Sequence, residues 1–353
     1  RLVSLDAFRG FTMFWIVGGK SLLTALQRLG SNAVVAGIAY ELEHTPWAGL
    51  RFYDVIWPAF MLMVGVSIPL SYAKRRQTQT DRQIRLHALK RATVLFLLGS
   101  LRTSVSSNSP TLIELSSALQ PIALAYLVTF FLAGASRRAQ AAVGAFILIF
   151  CALLLQFVPA PGVTAGSYEK GANLVRTVDL MVLGRTHEEG WGTVLSAIPA
   201  ISTTILGLLI GQLLMSSRLA RAKLKIIGLV GVGSVACGLI LSPFVPVIMK
   251  LWTASYGIMS AGFACLGFLL FYWIIDVLGF RRWAFPFVVI GMNAIAIYMG
   301  VTLVPISRIV GIFARPVGAH LGSFGALFVA AAVLLVEWLI LVWMYNRRIF
   351  IKA

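Results

Sequence analysis

The residues of this chain best suited to chemistry gather near its beginning. Glu41-Leu42-Glu43-His44-Thr45-Pro46-Trp47-Ala48-Gly49 leads into Phe52-Tyr53-Asp54-Val55-Ile56-Trp57-Pro58. Pro46 keeps the following helix from extending backwards, so His44 is expected on a loop and Asp54 in the first turns of an apolar helix. A histidine and an aspartate ten positions apart can meet there, at the membrane edge. A carboxylate against an imidazole sets its tautomer and raises its basicity, as a general base near neutral pH requires. The competing reading is structural: an interfacial histidine, and an aspartate favoured by the positive end of a helix dipole.

A second group opens the chain, where Ser4-Leu5-Asp6-Ala7-Phe8-Arg9-Gly10 puts Asp6 and Arg9 on one helix face. Either Asp6 caps that helix while Arg9 snorkels to headgroups, or Arg9 receives the phosphates of a cytosolic cofactor together with Arg91 or Arg102, expected at the inner end of the third apolar run. Gly18-Gly19-Lys20 is not a phosphate-binding loop. Lys20, Gln120, Asn293 and Glu337 fall inside apolar runs, where polar groups are costly and mark sites by default. The alternative is that Lys20 pairs with Glu337 and that Gln120 and Asn293 bond neighbouring helices. His87, His187 and His320 have no partner nearby in sequence and are expected in solvent. Cys151, Cys237 and Cys265 sit in apolar runs and read as small core residues, with neither a disulfide framework nor a metal-ligand set in view.

The elements that must position these groups follow from composition. Of 353 residues, 59% are hydrophobic and 12% charged, where soluble domains carry about a quarter charged. That excludes an ordinary soluble domain, a disordered chain and a disulfide-rich secreted scaffold. Apolar runs of roughly 20 residues, enough to cross a bilayer, occur at about 8–27, 52–73, 87–105, 113–134, 139–158, 195–216, 226–248, 254–277, 284–304 and 323–346. The expectation is an all-α polytopic membrane protein with about ten transmembrane helices and one domain over 1–353. The first run holds Gly18, Gly19 and Lys20 without a small-residue cleavage site, unlike a signal peptide, and the absence of Met at position 1 predicts a short preceding leader.

Sorting Lys and Arg onto alternating sides gives 19 against 8, which places both termini in the cytoplasm. The net charge of +18 is then a topological signature, and no nucleic-acid partner is called for. Glu41, Glu43, Glu169, Asp179, Glu188 and Glu189 fall in two long outer loops, 28–51 and 159–194, where an outer ligand would be read.

Through these residues the chain resembles the transmembrane N-acetyltransferases typified by lysosomal heparan-alpha-glucosaminide N-acetyltransferase, with their bacterial relatives. The resemblance runs from Ser4 to Asn293. It takes in the Ser4 to Gly10 motif, His44 with Trp47, Gly49, Asp54 and Pro58, Gly65-Val66-Ser67, Ala118-Leu119-Gln120, Asn173 with Asp179, Ile198-Pro199-Ala200-Ile201 leading to Gly207, Lys250-Leu251-Trp252-Thr253, and Asp276 with Gly291-Met292-Asn293. It implies transfer of an acetyl group from cytosolic acetyl-CoA to an amine, or a hydroxyl, of a sugar such as terminal glucosamine beyond the membrane. The family's active-site histidine falls on His44 and its acidic partner on Asp54. Lys20 stands where the lysosomal enzyme has an asparagine, and Pro121 where it has an arginine.

On this reading the cofactor is expected against Arg9, Arg91, Arg102, Gln120 and Asn293, with Gln120, Asn293 or Lys20 as donors to a developing oxyanion. The acceptor is expected against Glu43, Trp47, Tyr53, Lys250 and Trp252, whose aromatic members suit a sugar ring. His44 acts either as base or as acyl carrier. Expected partners are the bilayer, a bacterial inner membrane by size, short loops and resemblance, acetyl-CoA, an amino sugar or glycan, and a second copy of the chain in a homodimer; no nucleic acid is expected. The rival class is a multi-span transporter or exporter without acyl transfer, whose sites favour the midplane at broken helices.

Overall fold

The computed structural model describes residues 2–351 other than Ser31 and Ser116, and the side chain of Glu188 is also not described. The charges counted at Arg1, Lys352 and Glu188 therefore lie outside the described residues. The chain is all-helical, in the order α1 (Val3–Gln27), α2 (Ala33–Leu42), α3 (Phe52–Arg75), α4 (Asp81–Ser107), α5 (Leu119–Leu132), α6 (Arg137–Phe157) and α7 (Leu174–Leu183). There follow α8 (Val194–Met215), α9 (Ala220–Leu241), α10 (Ala254–Phe271), α11 (Phe285–Met292), α12 (Ala294–Leu303), α13 (Ile306–Ala319) and α14 (Gly325–Asn346). Among the described residues there are two isolated bridges and no named strand.

Every apolar run of the sequence carries a helix. Among the described residues, six of them are long and apolar enough to cross a membrane, or seven if the bent pair α11 and α12 is one span, against the ten expected. The remaining runs deviate for readable reasons. Helices α1 and α4 carry charged residues along their length. Helix α5 starts six residues after the run begins, because the described residues of 108–118 are irregular. Helix α9 stops at Leu241, ahead of Pro243 and Pro246, which cannot continue an α-helix. The ninth run breaks at Asn293, where α11 and α12 meet at 62°. Helices α2, α7 and α13, too short to span, lie inside the stretches read as loops.

Two compact units divide the contacts, and each draws on distant parts of the chain. The first comprises 1–44, 51–57 and 270–352; the second comprises 45–50, 58–269 and 353. In the first unit α1 has no side-chain cap of its own. The role expected of Asp6 falls instead to Asp276, in the π-helical turn Tyr272–Val277, whose carboxylate accepts the backbone N–H groups of Val3 at 3.3 Å and Ser4 at 3.1 Å. Asp6 pairs with Arg9 at 2.8 Å, and Arg9 Nε donates to the Gly291 carbonyl at 2.7 Å. Gly10 and Gly291 make the crossing of α1 and α11 possible, since a Cβ on either would strike the backbone of the other helix.

The second unit uses the same device at Gly65 and Gly207, where α3 and α8 cross backbone to backbone. A side chain there has nothing flexible to push aside. Gly65→Ala is therefore expected to cost about 1–3 kcal/mol by overpacking, read as a lower Tm of the purified protein. Gly134→Ala, where a Cβ would meet open space, is expected to be neutral. Equal Tm values for the two variants would contradict the crossing.

Candidate active site

The first unit assembles the His44 site from α1, α2 and the start of α3. Helix α2 ends at Leu42, Glu43 turns into extended backbone, and His44 follows on the loop. Asp54 occupies the first turn of α3 and is fully buried. Its Oδ1 lies 2.8 Å from His44 Nδ1, and its Oδ2 accepts the backbone N–H of Arg51 at 3.0 Å, closing the helix start. One carboxylate thus holds both the helix end and the imidazole. The His44 side chain is 38% exposed, so the imidazole reaches the surface from a buried anchor. A carboxylate that accepts from Nδ1 assigns the proton to Nδ1 and the lone pair to Nε2.

The surrounding contacts hold this loop in place. Arg51 Nη1 donates to Glu43 Oε2 at 3.0 Å and to the His44 carbonyl at 3.3 Å, and its guanidinium lies 3.9 Å from the centre of the Tyr40 ring. Phe52 N–H donates to Glu41 Oε2 at 2.8 Å. Tyr53 packs its ring 4.6 Å from the imidazole and donates its hydroxyl to the Trp15 carbonyl of α1 at 3.2 Å. Gly19 leaves the space the Tyr53 ring occupies. Glu43 and Tyr53, expected against an acceptor, therefore stand beside His44 with defined structural partners.

The other expected site residues are placed differently. Gln120 is fully buried: its Oε1 accepts from Glu114 N–H and Leu115 N–H, each at 2.8 Å, and its Nε2 donates to Ser100 Oγ at 2.9 Å and the Leu112 carbonyl at 2.8 Å. All four of its hydrogen-bonding positions are used, which makes it the organiser of the 108–118 loop. Gln120→Leu is expected to leave the Glu114 and Leu115 N–H groups unmet, each at about 1–3 kcal/mol, while Ser100 Oγ and the Leu112 carbonyl keep their own bond at 2.6 Å. Hydrogen exchange should accelerate across 108–118, while coenzyme A affinity stays unchanged. A selective loss of coenzyme A affinity would instead give Gln120 a place at the cofactor.

Asn293 is likewise fully buried and spends its amide on the chain end, donating to the Ile349 carbonyl and accepting from Ile351 N–H, both at 3.0 Å. Lys20 is exposed and forms no ion pair with buried Glu337 among the described residues. Arg91 and Arg102 do not share one end of α4: eleven residues of helix separate them by about 16 Å. Arg91 lies over the Tyr126 ring at 4.7 Å.

Arg102 instead lines a polar basin of about 470 Å³ with Thr103, Ser106, Glu114, Arg185 and His187. Glu114 pairs with Arg185 at 2.7 Å and lies 3.9 Å from His187, so His187 has a partner 73 positions back along the chain. That basin was not legible in the sequence, because its walls come from loops far apart in number. Behind it Asp179 accepts the N–H groups of Thr193 and Val194 at 3.0 and 2.9 Å, capping α8. Burial pushes the Asp179 carboxyl up against the pull of those amides.

The residues of the Lys250 motif face inward. Lys250 is 5% exposed and donates to the Glu189 carbonyl at 3.0 Å. Trp252 is 2% exposed and packs edge-on to Tyr256, with ring centres 5.5 Å apart. Trp47, partly exposed, donates its indole N–H to the Tyr168 carbonyl at 2.8 Å and packs on the cluster of Leu155, Val175 and Ile248. These three side chains build the walls of the second unit, and Trp252 has no face open to a sugar ring.

An all-helical chain with membrane-length apolar helices and an imidazole anchored on a buried carboxylate is an integral membrane protein with a candidate acid–base centre. The family model of the heparan-alpha-glucosaminide N-acetyltransferase catalytic domain matches residues 1–239. The chain belongs to that family, and with it to the membrane N-acetyltransferases. The matched segment includes Arg9, His44, Asp54, Arg91, Arg102 and Gln120, while Lys250, Trp252 and Asn293 lie beyond it. Among curated proteins the chain has no match.

Proposed function

We propose that the chain transfers an acetyl group from cytosolic acetyl-CoA to the amine of an extracytoplasmic amino sugar, with His44 as the base and Asp54 as its positioning residue. The observation that carries this reading is the 2.8 Å contact between a surface-reaching imidazole and a fully buried carboxylate. In the direct route the acceptor nitrogen attacks the thioester carbonyl, forming N–C as C–S breaks. Nε2 takes the amine proton and returns one to the departing thiolate. In the alternative route Nε2 itself attacks, and the acetyl group passes through His44. Acid quenching with acetyl-CoA alone, followed by mass spectrometry of the His44 peptide, separates them: an added acetyl group on His44 means the second.

The placement of Arg9 supports a cofactor approach along α1. It lies six residues before Trp15, whose carbonyl holds Tyr53 beside His44, about 9 Å along the helix axis. A cofactor with phosphates near Arg9 would extend its thioester end toward His44. The excess of basic residues on one side, sorted over ten alternating runs, supports cytoplasmic termini.

One observation favours the transporter reading: α11 and α12 form a broken helix, the element around which transporter sites are built. The deciding experiment is thiol release from acetyl-CoA by the purified protein, with and without glucosamine. Release that requires glucosamine supports the enzyme. No release, together with no thermal stabilisation by coenzyme A, overturns it.

A further inference from the structure

Helix α14 carries a carboxyl group that acetyl transfer does not employ. Glu337 lies in the middle of the helix, is 7% exposed, and has no hydrogen-bond or ion-pair partner among the described residues. Lys20, the cation its position suggested, is exposed instead. A carboxyl buried in an apolar helix without a partner is costly whether charged or neutral, and such groups persist in membranes where something else meets them.

What Glu337 faces is a groove of about 390 Å³ inside the first unit. Phe14 and Val17 of α1, Phe287 and Ile290 of α11, and Leu334 and Leu341 of α14 form its walls. The volume falls within the roughly 300–1,000 Å³ of pockets that enclose small organic ligands. The Trp338 indole, at the same groove, already donates to the Pro286 carbonyl at 3.3 Å. The rest of the lining is apolar, so Glu337 is the polar group left to orient an occupant.

We propose that this groove binds an elongated apolar molecule bearing one hydrogen-bond-donating head, a hydroxyl or an ammonium, which seats on the Glu337 carboxyl. An ordinary acyl chain would fill the volume but leave the carboxyl unmet. A strongly polar ligand would satisfy the carboxyl but lose its own hydration against phenyl and isobutyl walls. A molecule with one donor on an apolar body answers both conditions. The site is independent of His44 and stands or falls separately from the acetyl-transfer reading.

The experiment uses the full chain in phosphatidylcholine nanodiscs with hexadecanol and hexadecylamine, each carrying a mid-chain diazirine, and with unlabelled competitors. The expected result is saturable labelling of groove peptides in α1, α11 and α14, with competitor affinity at least tenfold weaker in Glu337→Leu. Glu337→Gln keeps a hydrogen-bond acceptor but no charge. It should retain hexadecanol and lose hexadecylamine, and the wild-type preference between the two probes identifies the head. Glu337→Leu is expected to keep or raise Tm, because it removes a polar group from an apolar setting. Equal labelling of wild type and Glu337→Leu, non-saturable labelling spread over α6 and α9, or a clearly lowered Tm in Glu337→Leu would each overturn the site.

Discussion

His44→Ala is expected to lower acetyl transfer to glucosamine by at least about 100-fold, with up to about 10,000-fold within reach of lost acid–base catalysis. The imidazole is the group at this centre that both reaches the surface and rests on a buried carboxylate. Removing it withdraws the proton acceptor in the direct route and the carrier in the covalent one, so both routes fail together. It also deprives Asp54 of its contact at Oδ1, while the contact of Oδ2 with Arg51 N–H persists. A Tm loss worth about 1–3 kcal/mol should accompany the activity loss, far less than unfolding requires. The check is steady-state thiol release alongside a thermal melt. Wild-type turnover in a folded His44→Ala protein would remove His44 from the mechanism.

Asp54→Asn is the second large effect, and it works through His44. An amide at this position can turn its N–H₂ toward Nδ1, which moves the imidazole proton to Nε2 and the lone pair to the wrong side of the ring. In serine proteases the corresponding change in the buried aspartate lowers turnover by about 10,000-fold with the geometry intact. A loss of about 1,000-fold or more in kcat is expected here, with coenzyme A binding little changed. The double variant His44→Ala with Asp54→Asn should be no slower than His44→Ala alone, because two residues acting as one unit are not additive. Additive losses, or equal loss of coenzyme A binding in Asp54→Asn, would make Asp54 a purely structural residue that caps α3.

The contrast between His44 and Gln120 shows how far local pattern reaches. His44 and Asp54 are ten positions apart with a proline and a helix start between them, so the chain's own local geometry suffices to bring them together. Gln120 and Asn293 offered the same promise as polar groups in apolar runs. Their hydrogen bonds turn out to be consumed by loop 108–118 and by the chain end at 349–351. No spacing rule reveals that, since each amide is claimed by whichever backbone groups the packed fold leaves unmet nearby.

By itself, then, the sequence determined the all-helical membrane class and the His44–Asp54 pair, consequences of apolar periodicity and short-range geometry, and its motifs carried the family. Tertiary structure alone decided that Asp276 rather than Asp6 caps α1, that Glu114 joins Arg185 and His187, and that Lys20 and Glu337 stay apart. The physical reason is that charges and hydrogen-bonding groups compete for partners in space, and a helix crossing such as that of Gly10 with Gly291 brings together groups hundreds of residues apart.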